Sequence, residues 1–401
     1  MKGTTGTMDW QLSSSAKLEM IQFLRRLVQT PSVSTHEEVV AELIAAEMRR
    51  LGLPEVRVDP MGNVIARLGP GGGPTLLFDA HMDTVDAGDP SAWRHGPYAG
   101  VIENDILYGR GAADMKGAIA AMVYGAKSLL DAGLPRRGSL VLAMVVQEEP
   151  CEGMAIREVI EEQGIQPDYC ILGEPSNLAL ARGHRGRLEA AVTVRGVSSH
   201  ASVPDAGQNA IYAAARVIVG IELLAQQLNH DSFLGRGSVA VTHIESMAES
   251  RNAVPHRCTL YIDRRLTSDE TEVKALTELR RIIGREGVSA EVAVTEYEGA
   301  SYTGYPCRLR QYFPPWVLPE GHPFIGRVSQ ALEGVLGGRP RLTAWGFSTD
   351  GVYTAGVAGI PTLGFGPGDE RYPHTSEEQI RLADVVTAAR GYAAIAAELL
   401  G

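Results

Sequence analysis

Four stretches of the chain, "VIARL", "TLLFDA", "SLVLAMVVQ" and "DYCILGE", are apolar along nearly their whole length and not merely on alternate residues. A strand with one wet face alternates, whereas a strand that does not must be covered on both faces. Among them lie "KGAIAAMVYGAKSLLDAG" and "AIREVIEEQG", which read as helices. Strands alternating with helices predict an α/β sheet, in which chemistry gathers beyond the carboxyl ends of the strands. His81, Asp83, Glu148, Glu149 and Glu174 all stand at such ends. Upstream, a first helix is predicted over residues 16–28. A second lies in "SVSTHEEVVAELIAAEMRRLG", where Ser34 and Glu37 have capping-box spacing and Gly52 ends the helix.

Near residue 187 the pattern changes. "RLEAAVTVRG" alternates as a half-exposed strand does, and "NAIYAAARVIVGIELLAQQL" reads as a long helix. "SVAVTHIES" and "CTLYIDRRL" follow as strands, Ser268 caps the helix "DETEVKALTELRRIIGREG", and "SAEVAVTEYE" closes the set. The order β-α-β-β-α-β is that of the split, ferredoxin-like unit. After residue 298 the α/β character resumes, with "IPTLGFGPG" as a strand and residues 377–400 as a closing helix. A chain of 401 residues is too long for one ordinary core. The expectation is a main domain, residues 1–186 and 299–401, interrupted by a small domain of residues 187–298.

With 48 acidic against 37 basic residues the formal net charge is −11, which disfavours nucleic acid or an anionic membrane surface as the main partner. No run reads as long enough to span a bilayer. The opening segment "MKGTTGTMDWQLSSSAK" has one early Lys with no apolar stretch behind it, so it reads as a mobile tail and not a secretory signal. Cys151, Cys170, Cys258 and Cys307 are scattered without a C-x-x-C pair, which fits reduced thiols in a cytoplasmic enzyme. "GPGGGP", residues 69–74, precedes a strand where a phosphate loop would open a helix, so it reads as a hairpin turn.

In an extended chain residues two apart share a face, so His81 and Asp83 project together from one strand end. A histidine beside a carboxylate suits either a metal ligand or a general base. Glu148 and Glu149 directly follow a buried strand, where adjacent carboxylates are costly unless something positive stands near. Glu174 ends the next strand. Asp114 sits just before a helix in "LYGRGAADMKGAIAAM", and His374 precedes another in "GPGDERYPHTSEEQI". Any one of these is more often structural. Together, two imidazoles and several carboxylates on one rim suit a pair of divalent ions with one carboxylate bridging them. With no thiolate in the set, zinc comes first, and cobalt or manganese are the substitutes.

The motifs "HMDTV", "GRGAADMKG", "QEE", "GEP", "SSHASVPDAGQNAI" and "PHTSEE" occur in this order over nearly the whole chain. They resemble those of the co-catalytic zinc metallopeptidase and amidohydrolase family that includes acetylornithine deacetylase, succinyl-diaminopimelate desuccinylase, aminoacylase and glutamate carboxypeptidase. "YIDRRLTSDE", "AWGFSTDGV" and "GFGPG" look closest to a subgroup linked to selenium metabolism. The resemblance implies a mixed-sheet catalytic domain into which a ferredoxin-like dimerisation or lid domain is inserted. It implies that His81 and Glu174 bind one ion, that His374 and Glu149 bind the other, and that Asp114 bridges the two. Asp83 would then orient the His81 ring. Glu148 would be the general base, taking a proton from the metal-bridging water and passing it to the leaving amine. His200 matches the histidine that stabilises the oxyanion, usually from the partner subunit of a homodimer. Asn252 and Arg265 resemble positions that hold a substrate carboxylate. Arg264 is an equally visible guanidinium, and Arg265 is preferred only for its spacing from Asp263.

Two departures stand out. "SMAESRNAVP" lacks the paired glycines that often precede that Asn, and Glu174 stands where many relatives carry Asp. The second leans toward the desuccinylase and deacylase branch. The expected function is hydrolysis of amide bonds in N-acyl amino acids, with a metallo-dipeptidase or carboxypeptidase as the alternative. A non-catalytic binding protein on the same fold is the alternative of another class, but Glu148 and all five presumed ligands are present. A serine hydrolase would need a G-x-S-x-G elbow, which the chain lacks. The aromatic residues of "YFPPWVLPE" read as packing at the domain junction.

Overall fold

The computed structural model describes residues 10–401. Residues 1–9 of the expected tail lie outside the described residues, and the rest of it leads into helix Ser14–Gln29, whose N-cap Ser13 accepts from the Ala16 N–H. Among the described residues, the larger sheet has nine strands. From edge to edge they are Arg57–Val58, Val64–Gly71, Gly138–Val145, Thr75–His81, Tyr169–Leu172, Thr362–Gly364, Leu180–His184 and Trp316–Val317, with Leu342–Trp345 paired to Leu180–His184. Gly138–Val145, Thr75–His81, Tyr169–Leu172 and Thr362–Gly364 run parallel. Val64–Gly71 and Leu180–His184 flank them antiparallel, so the sheet is mixed. Every residue of Gly138–Val145 is buried, as is all of Thr75–His81 beyond its first residue. The unbroken apolar runs thus belong to strands covered on both faces.

The segment "GPGGGP" does turn the chain, with positive φ at Gly69, Gly71 and Gly72. It does not make a hairpin, because Gly138–Val145 is inserted between the two strands it joins. Parallel pairing on both sides buries Thr75–His81 in mid-sheet, which a hairpin would have left nearer the edge. The predicted capping box is also absent. Helix Glu38–Arg50 has no side-chain cap; Ser34 Oγ donates to Asp83 Oδ2 at 2.7 Å, and Glu37 Oε1 accepts from the Thr35 and Gln147 N–H groups. Tertiary partners have taken both side chains.

The second sheet orders its strands Ser238–Met247, Arg257–Leu266, Gly186–Arg195 and Ala290–Val294, all antiparallel, and Tyr312–Phe313 adds to Gly186–Arg195 from later in the chain. Burial alternates strictly along both Arg257–Leu266 and Gly186–Arg195. Helices Ala210–Gln227 and Glu272–Arg285 cover the buried face and form with it a core separate from that of the larger sheet. Thr271 caps the second of these helices, not Ser268. The run "SAEVAVTEYE" divides at Thr295, and Glu296–Ala300 pairs with Pro306–Arg310 in a hairpin of its own. Likewise the closing helix starts at Leu382, because Gln379–Arg381 is a strand paired with Ile106–Tyr108.

One sequence expectation is corrected by helix Ala210–Gln227. Its 18 residues have a mean hydropathy of 1.2, enough by length and composition to cross a membrane. The reason is local: Ala210, Ala214, Val217 and Ile221 pack on the sheet, while Ile211, Tyr212, Val219 and Leu223 stay exposed on the far side. An apolar stripe on each side raises the average without making the helix a span.

Candidate active site

Four adjacent parallel strands end on one edge, and the residues at or just past their ends meet there. His81 is the last residue of its strand, Glu148 and Glu149 stand just beyond Val145, and Glu174 lies just beyond Leu172. His374 comes from the loop after Thr362–Gly364, and Asp114 from the turn before helix Gly117–Asp131. Gly366 permits the close approach of two of these segments: a Cβ there would sit 2.3 Å from the Gly173 and Glu174 carbonyl oxygens.

The centre is Asp114. Its Oδ1 lies 3.0 Å from His81 Nε2, and its Oδ2 lies 3.5 Å from His374 Nε2. Glu174 Oε1 is 3.8 Å from His81 Nε2, and Glu149 Oε2 is 3.0 Å from His374 Nε2. Donor atoms of His81, Glu148 and Glu174, and likewise of His81, Asp114 and Glu149, lie within 4.8 Å of one another. His81 Nδ1 faces the Asp83 backbone oxygen at 3.0 Å, so in the tautomer that donates there Nε2 keeps its lone pair for the centre.

Asp83 does more than sit behind that ring. Its carboxylate is 3.5 Å from Nδ1, farther than its own carbonyl. Both its oxygens accept instead from the loop that carries the two glutamates, Oδ1 from Glu148 N–H at 3.1 Å and Oδ2 from Glu149 N–H at 3.3 Å. Asp83 therefore ties the His81 strand end to the Glu148–Glu149 turn.

The electrostatics call for positive charge. Burial raises the pKa of Glu174, and the Asp114 carboxylate raises it further. Burial also raises that of Glu148, helped by the charge on Glu174. Hydrogen bonds that the His374 ring donates to Asp114 and Glu149 push its pKa up to about 10. For His81, burial acts downward but is outweighed by Asp114 and Asp83, which hold the imidazolium well above its ordinary range. Burial would raise Asp114, yet His374 and His81 together bring it below the usual carboxylate range. Four clustered carboxylates against two imidazoles make a site that two cations would neutralise. Among the described residues, Glu148 Oε1 is buried without a hydrogen-bond partner, a lone oxygen free to take a proton. The donor set, all imidazole and carboxylate, suits hydrolytic divalent ions.

The other predicted residues stand apart, and no hydrogen bond or ion pair among the described residues joins them to this cluster. His200 is exposed in the second domain, where its Nδ1 accepts from Ser202 N–H and Oγ. Asn252 is exposed, with Oδ1 accepting from Ser250 Oγ. The two arginines separate clearly. Arg264 is buried against Glu270 and Glu278, whereas Arg265 lies on the open face, paired with Asp263 at 2.8 Å.

Sequence reasoning passed over a supporting set. Asp79, buried inside the Thr75–His81 strand, shares a hydrogen bond with Asp350, which accepts from Gly153 N–H at 2.6 Å. Glu152 takes Ser348 Oγ on one oxygen and Arg187 on the other. Glu378, itself held by Arg110, accepts from the backbone N–H of Asp114. A charged residue inside an apolar strand was the available signal for Asp79; the rest act across long sequence separations.

Clustered imidazoles and carboxylates at the carboxyl edge of a mixed sheet define a class, the metal-dependent hydrolases. Residues 77–398 match the model of the family described as "Peptidase family M20/M25/M40", and the chain belongs to that family. It is 39% identical over 378 residues, 94% of this chain and 93% of the other, to "Uncharacterized protein YgeY" of Escherichia coli strain K12. It is 30% identical over 355 residues, 85% of this chain and 88% of the other, to the succinyl-diaminopimelate desuccinylase of Xanthobacter autotrophicus. Its fold is similar to the crystal structure of the metallo-carboxypeptidase Sso-CP2 from Sulfolobus solfataricus, with a TM-score of 0.74, 18% identity, and coverage of 97% of this chain and 99% of that one.

Proposed function

We propose that the protein hydrolyses the amide bond of N-acyl amino acids with a pair of divalent ions, zinc in the first instance. The observation that carries this is Asp114, which turns one oxygen to each imidazole while each imidazole has a further carboxylate of its own. His81 and Glu174 would hold one ion, His374 and Glu149 the other, and Asp114 both. When bound, such ions polarise the amide carbonyl and lower the pKa of water. Glu148 accepts the proton of the attacking water on its unpartnered oxygen and delivers it to the leaving nitrogen. Asp83 keeps Glu148 and Glu149 in register with His81.

Residues 187–298 serve in this reading as a ferredoxin-like lid and dimerisation domain. Strand Ser238–Met247 is an open sheet edge with Ile244 and Met247 exposed, and Ile211, Tyr212, Val219 and Leu223 line the exposed side of the adjoining helix. Open edges and apolar patches of this kind favour association with a second copy. A dimer would bring the partner's equivalent of His200 to the oxyanion, while Asn252 and Arg265 would hold the substrate carboxylate. Four free, buried cysteines support a reducing, cytoplasmic setting. The desuccinylase relative favours an acyl-amino-acid substrate, and the carboxypeptidase neighbour keeps the peptidase alternative in view.

The test is a panel of acetyl-, succinyl- and formyl-amino acids beside dipeptides, assayed with the enzyme as purified, after chelation, and after zinc, cobalt or manganese is restored. Hydrolysis of an N-acyl amino acid that chelation abolishes and metal restores is expected. Faster turnover of dipeptides would select the alternative, and activity surviving complete metal removal would end the proposal.

A further inference from the structure

Glu378 lies four residues beyond His374 and is only 1% exposed. Its Oε1 accepts from two consecutive backbone N–H groups, Ala113 at 3.0 Å and Asp114 at 3.1 Å. Its Oε2 accepts from Arg110 Nη1 at 2.6 Å, and its carbonyl accepts from Gly109 N–H at 3.0 Å. Arg110 is itself buried, at 4% exposure. One residue thus grips the 109–114 segment at four points, three of them charge-assisted bonds to its carboxylate.

The four metal-facing groups other than Asp114 are not equally held. His81 ends a central strand, and Glu149 and Glu174 closely follow two others. His374 has no such support: its side chain is 55% exposed and its φ is +61°, in the left-handed region. Strand Gln379–Arg381 anchors the far end of its loop to Ile106–Tyr108, and Glu378 anchors the loop to the backbone of Asp114 itself.

We infer that Glu378 is a positioning residue that fixes the distance between His374 and Asp114, and so sets affinity for the ion on the His374–Glu149 side while leaving the His81–Glu174 side nearly unaffected. The inference rests on the two-ion reading above. It assigns the carboxylate a role through backbone N–H groups, without contact to substrate.

The experiment titrates cobalt into the metal-free full-length protein and follows both the visible absorption of the bound ion and the heat of binding. Wild type should take up two equivalents. Glu378→Gln keeps the shape and one acceptor oxygen but turns an amide N–H toward Arg110. It should bind the first equivalent like wild type and the second about 10- to 100-fold more weakly. Two equivalents at wild-type affinity, or equal weakening of both, would overturn the inference while leaving the two-ion reading intact. Wild type that binds fewer than two equivalents would overturn both. If Glu378→Gln does not fold, Arg110→Lys is read by the same criteria, since it keeps the charge but loses the fixed guanidinium geometry.

Discussion

The two sheets use their surfaces differently. In the larger one, the central strands are covered on both faces, so a polar group carried by a strand finds room mainly at its end. In the second, alternate residues reach an open face, and the register sets Arg187 opposite Arg265 and Glu189 opposite Asp263. Like charges directly across strands repel. Each is offset along its own strand, Arg187 by Glu189 at 2.9 Å and Arg265 by Asp263 at 2.8 Å. The first sheet concentrates unneutralised carboxylates in one buried place; the second pairs its charges, partly exposed at Glu189, Asp263 and Arg265 and covered at Arg187. In the function proposed above, chemistry and subunit contact are divided between these two cores. They are joined where Arg187 Nη2 meets Glu152 Oε2 at 2.7 Å, in the loop that begins with Glu148 and Glu149.

That division can be broken most sharply at Glu148. If all the proton chemistry belongs to the first sheet, Glu148→Gln should lose about 10²- to 10⁴-fold in kcat while retaining both ions. Elemental analysis that found metal lost would make Glu148 a ligand instead. A smaller effect sharpens the contribution of the second domain. Inactive Glu148→Gln subunits mixed with inactive His200→Ala subunits should recover about a quarter of wild-type activity if each site of a two-fold dimer borrows the partner's His200 equivalent. No recovery in verified heterodimers would make each subunit self-contained.

Much of this was legible in the sequence because strand-end residues announce themselves. An unbroken apolar run that stops at His81, or at Glu148 and Glu149, carries its own signal, and the parallel sheet follows from the same runs. The features that were not legible depend on partners far along the chain. Ser34 and Glu37 have the spacing of a capping box, but Asp83 and the Gln147 backbone compete for them and win. The glycines of residues 69–74 specify a turn, yet local geometry cannot say that Gly138–Val145 will be inserted between the strands it joins. Ser268 and Thr271 are both competent caps, and only the latter accepts a free N–H of its helix, that of Lys274. Glu378 was hidden for a related reason: its targets are main-chain N–H groups more than 260 residues away, which carry no side-chain signature.

Anomalous diffraction from crystals of the zinc-restored protein tests the central claim most directly. Two peaks should flank the Asp114 carboxylate, one beside His81 and Glu174 and the other beside His374 and Glu149. A single peak, or a pair that leaves Asp114 untouched, would contradict the account.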